Sequence, residues 1–243
     1  MTTTEIAQDG TVIWATLAEP GRGLAQALYR RRASTAILAG TLAALVSTAF
    51  VVPSLDMEKA AGGQLRPDMT PHEREEALAT AAKLETVKQW ASAVASPAVY
   101  AALLAVAFFL AFWLAGARTG FKDTLTVTAH AQLPIWLKAL LTAPAAMAHA
   151  PGAPDDVGKL LPSSLAAFLP GSLPPAVIAA AGAIDLFTLW SAYLLGAGMA
   201  KASGASRRRA FVVTAILFVA YACLLKIVPS AAPAGGPGPH GGM

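Results

Sequence analysis

Residues 101–115 read AALLAVAFFLAFWLA, a run with no charge and no polar group beyond one indole. Extended back to Ala93 it stays uncharged. It then reaches the roughly 20 apolar residues that a helix needs to cross a hydrocarbon core about 30 Å thick. Working outward, comparable runs occupy residues 33–52, 124–148, 176–199 and 210–228. The expected fold class is therefore all-α, a polytopic membrane protein built as a five-helix transmembrane bundle with short interfacial and extramembrane helices. Composition agrees: 56% of the 243 residues are hydrophobic and 13% charged, against roughly 25% charged in soluble domains. An ordinary soluble globular protein is excluded, because its surface would lack charge. The only cysteine, Cys223, lies in an apolar run, so neither a disulfide framework nor a cysteine-rich metal site is expected.

The ends of these runs fix their direction. Arg30, Arg31 and Arg32 precede the first run, and Arg207, Arg208 and Arg209 precede the fifth. With an inner N-terminus, five crossings gather ten basic residues inside: these six with Arg22, Arg118, Lys122 and Lys201. The outer side then receives Lys59, Arg66, Arg74, Lys83, Lys88 and Lys159 together with nine acids. Because basic short loops stay in the cytoplasm, the expectation is a cytoplasmic N-terminus and an outer C-terminus. Basic residues at run ends, rather than along one stripe, also argue against nucleic acid as a partner. The first run is too long, and its leader too acidic, for a cleaved signal peptide.

Four segments fall outside the lipid on this reading. The leader, residues 1–32, carries Leu24, Ala27 and Leu28 on one helical face and suggests an interfacial helix with arginines at the headgroups. The outer insert, 53–92, has a strong helix start: Thr70 as cap, Pro71 in the first turn and Glu73 completing a capping box. That helix is expected to run to Trp90, with Ala77, Ala81, Leu84, Val87 and Ala91 as its apolar stripe, either a docking surface or a spacer. Residues 151–175 contain SSLAAFLPG between prolines, too short to cross and expected to be interfacial or re-entrant. Residues 229–243, rich in Pro and Gly, are expected to be a disordered outer tail. Lys226, near the end of the fifth run, is expected to snorkel to the interface.

Charges inside the apolar runs carry the functional information. An ionisable group near the bilayer centre costs roughly 2.5 to 3.5 kcal/mol, and an aliphatic residue returns only about 0.3 to 0.6. In the third run six aliphatic residues face Lys138, His130, Gln132 and Pro134, so it must be enclosed by neighbouring helices. Asp185, in the fourth run, is roughly balanced by its own apolar residues. At about 1.5 Å per residue, Lys138 and Asp185 fall at nearly one depth, slightly outside the midplane. An ion pair between adjacent helices is expected, with His130 below it on the same stripe through Pro134. That stripe is either a proton or ion path or a satisfied pair that orients two helices. Neither a chain of midplane acids nor broken helices in repeated halves, the marks of a transporter, is evident. Gly196 and Gly198 with Ala192, Ala200 and Ala202 allow close helix contact.

No nucleophile elbow, phosphate loop, zinc-protease motif or cysteine-histidine metal spacing occurs, and His72, His130, His149 and His240 are scattered. No catalytic residue, metal or cofactor is expected. Three stretches carry a family resemblance: AEPGRGLAQALYRRR (18–32), GFKDTLTVTAHAQLPIWLKALL (120–141) and AIDLFTLWSAYLLGAGMAKASGASRRRA (183–210). With Pro20, Gly120, Phe121, Pro134, Asp185, Phe187 and Trp190 in this order, the chain resembles the Yip-one domain family of small multi-span membrane proteins. The resemblance implies five helices and a cytoplasmic N-terminus. It also implies vesicle traffic and Rab GTPase binding for eukaryotic members, and association with MacB-type ABC exporters for some bacterial ones. This chain looks bacterial and lacks the long N-terminal domain of the eukaryotic members, which counts against a Rab partner. The expected role is a non-enzymatic accessory or scaffold subunit of an inner-membrane complex, with exporter subunits or a second copy as partner. The alternative is a small secondary transporter or channel using Lys138, Asp185 and His130.

Overall fold

The computed structural model describes residues 3–57, 69–149, 157, 160–170 and 172–223. Among them the regular structure is helical, and one isolated bridge joins Ser164 to Asp185. Lys226, His240 and the expected tail lie outside the described residues.

The chain enters through α1 (Thr3–Ala18) and α2 (Pro20–Arg30). Pro20 takes the first turn of α2, where its missing N–H leaves no bond unmade, and Arg31 ends the helix in the left-handed region at φ 50°. A Cβ at Gly23 would sit 2.2 Å from the Thr16 backbone nitrogen, so glycine is what lets α2 fold back on α1. The face of Leu24, Ala27 and Leu28, expected to serve an interfacial helix, is turned onto protein. Leu24 is fully buried in a cluster with Phe108, Phe112, Val127, Leu194 and Met199, and Leu28 packs against it. The stripe is satisfied by protein, because α2 packs on two helices of the bundle.

Next comes α3 (Ala33–Val51), closed by a 3-10 turn at Val52–Ser54, and then α4 (Pro71–Leu114). The capping box is present: Thr70 N–H donates to Glu73 Oε2 at 2.9 Å, and Glu73 N–H donates to Thr70 Oγ1 at 3.4 Å. These hydrogen bonds hold the exposed Glu73 carboxyl below its ordinary pKa. The helix does not stop at Trp90. It continues through Pro97 for 44 residues, about 66 Å at 1.5 Å per residue. Its N-terminal part leaves Leu84 and Val87 exposed. Two helical stretches, Ala33–Ser54 and Pro71–Leu114, are long and apolar enough to cross a membrane.

The third and fourth runs are interrupted. Residues 124–148 fall on α5 (Phe121–Ala131) and α6 (Leu133–His149), and residues 176–199 on α7 (Pro175–Ala183) and α8 (Leu186–Ser203). The expectation that helices here are unbroken is thus corrected: Pro134 withholds an N–H from α5, and Asp185 caps α8 with its own side chain. Finally α9 (Arg207–Ala222) packs along α8.

The centre of the bundle is α5, which touches α2, α3, α4 and α8. Every residue from Thr126 to Pro134 is buried. Two of its threonine hydroxyls are satisfied within the protein: Thr126 Oγ1 donates to the Lys122 carbonyl at 2.8 Å, and Thr128 Oγ1 to Ala101 O on α4 at 3.0 Å. Such back-bonding lets threonine occupy an apolar helix at little cost. Glycines set the close approaches. A Cβ on Gly198 would lie 2.5 Å from Val127 Cγ1, and one on Gly40 2.7 Å from the Trp136 indole nitrogen.

Candidate functional site

The site is assembled where α6 meets the break between α7 and α8. Ile184 (φ −87°, ψ 82°) and Asp185 (φ −116°, ψ 139°) leave the helix for two residues. Each freed backbone group must then find a partner, since an unpaired one in a low-dielectric interior costs several kcal/mol. The segment 163–165 supplies them. Leu165 N–H donates to Ile184 O, and Leu186 N–H donates to Ser163 O, both at 2.9 Å. A short antiparallel clasp around Ser164 and Asp185 thus patches the gap. The proline-bracketed SSLAAFLPG stretch holds this clasp, followed by a 3-10 turn at Leu165–Phe168 that packs on α7.

Asp185 stands at the junction and is 3% exposed. Its Oδ1 accepts the N–H groups of Phe187 (3.0 Å) and Thr188 (3.2 Å) and the Thr188 hydroxyl (3.4 Å). Its Oδ2 accepts Lys138 Nζ at 2.7 Å and the Ser163 hydroxyl in a short contact. Five donors therefore converge on one carboxylate. Three belong to the first turn of α8, whose positive end also favours a negative charge. One is the cation of α6, and one is the hydroxyl of the clasp. The side chain ties three segments at one point.

Lys138 and Asp185 are thus brought together. His130 is buried on α5, across the Gln132 break from Lys138, with Nδ1 2.9 Å from Thr126 O. Pro134 sits buried in the first turn of α6. Phe187 is buried, and Trp190 packs against the main core cluster. Gly120 caps α5, and Phe121 meets Phe109 edge to face at 6.0 Å.

The arginines take structural duties at the opposite end. Arg31 Nε lies 3.0 Å from Asp123 Oδ1, Arg209 donates to the Ala115 carbonyl that ends α4, and Arg207 lies over the Phe211 ring at 5.7 Å. These contacts gather the end of α2, residues 115–123 and the start of α9 at one pole. Arg30 and Arg32 are engaged as well. Among the described residues no group of three His, Cys, Asp or Glu side chains is placed to hold a metal ion. An apolar surface hollow of about 460 Å³ lies along α9 and a cleft of about 190 Å³ between α3 and α4, and neither is lined by Lys138 or Asp185.

Ser163 was not singled out from the sequence. Two signals point to it: an Asp directly before an apolar helical run is an N-cap signature that marks the break, and a broken helix needs an outside strand to serve its backbone.

The Yip1 domain family model matches residues 14–227, most of the chain. The chain belongs to the Yip1 domain family. No curated protein and no solved structure matches it. Within this Yip1 domain the match runs from α1 through α9, so both breaks and the Lys138–Asp185 contact lie inside the family's domain. Membership makes this an all-α membrane protein, in agreement with its two long apolar helices.

Proposed function

We propose that this Yip1 domain protein is a five-span protein of a bacterial inner membrane, with its N-terminus in the cytoplasm and its C-terminus outside. It acts without catalysis, as an accessory or scaffold subunit of a membrane complex, with an ABC exporter of the MacB type as the partner class. The observation that carries the scaffold reading is the saturation of Asp185. A carboxylate that relays protons or binds a passing ion needs an open face, whereas this one has five donors from its own chain. The pair is accordingly a joint that orients helices.

A second reading, a small transporter or channel using Lys138, Asp185 and His130, is favoured by one feature: two consecutive crossings are broken, as discontinuous helices are in transporters. The two readings part on neutralisation. Asp185→Asn with Lys138→Met keeps a cap on α8 and removes both charges. In the scaffold reading the double variant inserts, stays folded in mild detergent and co-purifies stoichiometrically with the same exporter subunits as the wild type. Proteoliposomes of either protein then show no proton or alkali-cation flux above empty vesicles. Flux by the wild type that the double variant loses would overturn the scaffold reading in favour of transport.

A further inference from the structure

We infer that the basic pole holds an anionic phospholipid headgroup between the loops at residues 115–120 and 204–206, through Arg118, Lys122, Lys201 and Arg208. The cations of this pole divide into two sets. Arg31, Arg207 and Arg209 are spent on Asp123, on Tyr193 with Phe211, and on the end of α4. Arg118, Lys122, Lys201 and Arg208 are exposed, and among the described residues none of their side chains has an ion pair or hydrogen bond. Arg118 lies in the loop before α5 and Lys122 in the first turn of α5, whereas Lys201 stands in the last turn of α8 and Arg208 in the first turn of α9, on either side of the loop at 204–206. Arg209 of α9 donates to the Ala115 carbonyl, and Ala117 of one loop and Ala205 of the other pack on the same core cluster. Four unspent cations around two joined loops repel one another unless an anion intervenes.

The occupant follows from what borders them. Trp113 and Leu114 are exposed at the end of α4, and Phe121 at the start of α5. An exposed indole and phenyl ring beside a cationic loop is the arrangement found where a helix leaves lipid for the headgroup layer. A phosphodiester with acyl chains meets both demands, its phosphate on the cations and its chains along Leu110, Trp113 and Leu114. A polybasic surface prefers anionic lipid in this way. An acidic protein segment would satisfy the charges and leave the rings bare.

The inference rests on the reading that this pole meets the membrane surface. That reading is checked separately, by thiol labelling of Arg118→Cys from the cytoplasmic side in a Cys223→Ser background. The direct test uses the full chain in nonionic detergent, challenged with phosphatidylglycerol or phosphatidylcholine and read by native mass spectrometry. We expect wild type to retain phosphatidylglycerol in preference to phosphatidylcholine, and the R118Q/K122Q/K201Q/R208Q variant to retain it about tenfold less. The preference should also fall as salt rises from about 0.05 to about 0.5 M. The variant's melting temperature in lipid-free detergent should not change, because these side chains hold nothing within the protein. K83Q/K88Q, in the outer helix, should retain phosphatidylglycerol as the wild type does. Equal retention of the two lipids by wild type, or undiminished retention by the quadruple variant with the labelling result intact, overturns the inference.

Discussion

The two broken helices differ in how their gaps are closed. Between α5 and α6 the break lasts one residue, and the chain mends it locally. Gln132 turns at φ −84°, ψ −6°, and its carbonyl accepts from Ile135 at 2.9 Å and Trp136 at 3.2 Å. Pro134 has no N–H to leave stranded, so a proline break removes a donor and needs no outside help. Between α7 and α8 the break lasts two extended residues that keep all their polar groups, and a distant segment must serve them. The first break belongs to one helix line. The second couples α6, α8 and the clasp through a single carboxylate, so damage there should spread.

The largest effect is expected at the cation. Lys138→Met strands a carboxylate that is 3% exposed and should cost about 3 to 5 kcal/mol in reversible unfolding from mixed micelles. A loss under about 1 kcal/mol would mean that the charge is hydrated and the joint loose. Ser163→Ala removes one of five donors and the tie to the clasp, with an expected cost of about 1.5 to 3 kcal/mol for a hydrogen bond to a charged group. Amide exchange should rise at Leu165 and Leu186 with it, and unchanged exchange there would detach the clasp from the joint. Pro134→Ala, at the self-mended break, should cost less than about 1.5 kcal/mol, since the helix line needs nothing that proline supplies beyond its bulk and stiffness. A cost as large as that of Lys138→Met would erase the distinction between the breaks.

The smallest effect lies outside the bundle. Glu73 has its folded pKa lowered by Thr70, so the cap is fully present above the ordinary glutamate pKa and is lost as pH falls through the lower folded value. Acid should therefore fray the first turn of α4, seen as faster amide exchange at Glu73 and Arg74, and Glu73→Gln should remove that pH dependence.

How much of this was legible in the sequence depends on which force decided each feature. The capping box at Thr70 is local chemistry over four residues, and the helix begins where it says. Pairing of Lys138 with Asp185 followed from the cost of charge in hydrocarbon together with equal depth along neighbouring helices. The enclosure of α5 followed from the same cost. The breaks did not emerge, because Asp185 was weighed as a charge to be hidden and its second capacity, capping a helix, was left out. Ser163 was missed for the same reason. The burial of Leu24 and the role of α2 were hidden because a lipid-facing stripe and a protein-facing stripe are written in the same residues. Gly196 and Gly198 were legible as permitting close contact, but their neighbours, Phe211 and Val127, are fixed only by the fold.

The central claim is that residues 138 and 185 form a joint whose worth lies in their mutual neutralisation. A double-mutant cycle of unfolding free energies on wild type, Lys138→Met, Asp185→Asn and the double variant, in one detergent, tests it most directly. The account predicts that the double variant is more stable than Lys138→Met alone, with a coupling energy of at least about 2 kcal/mol. Additive losses in the double variant would contradict it.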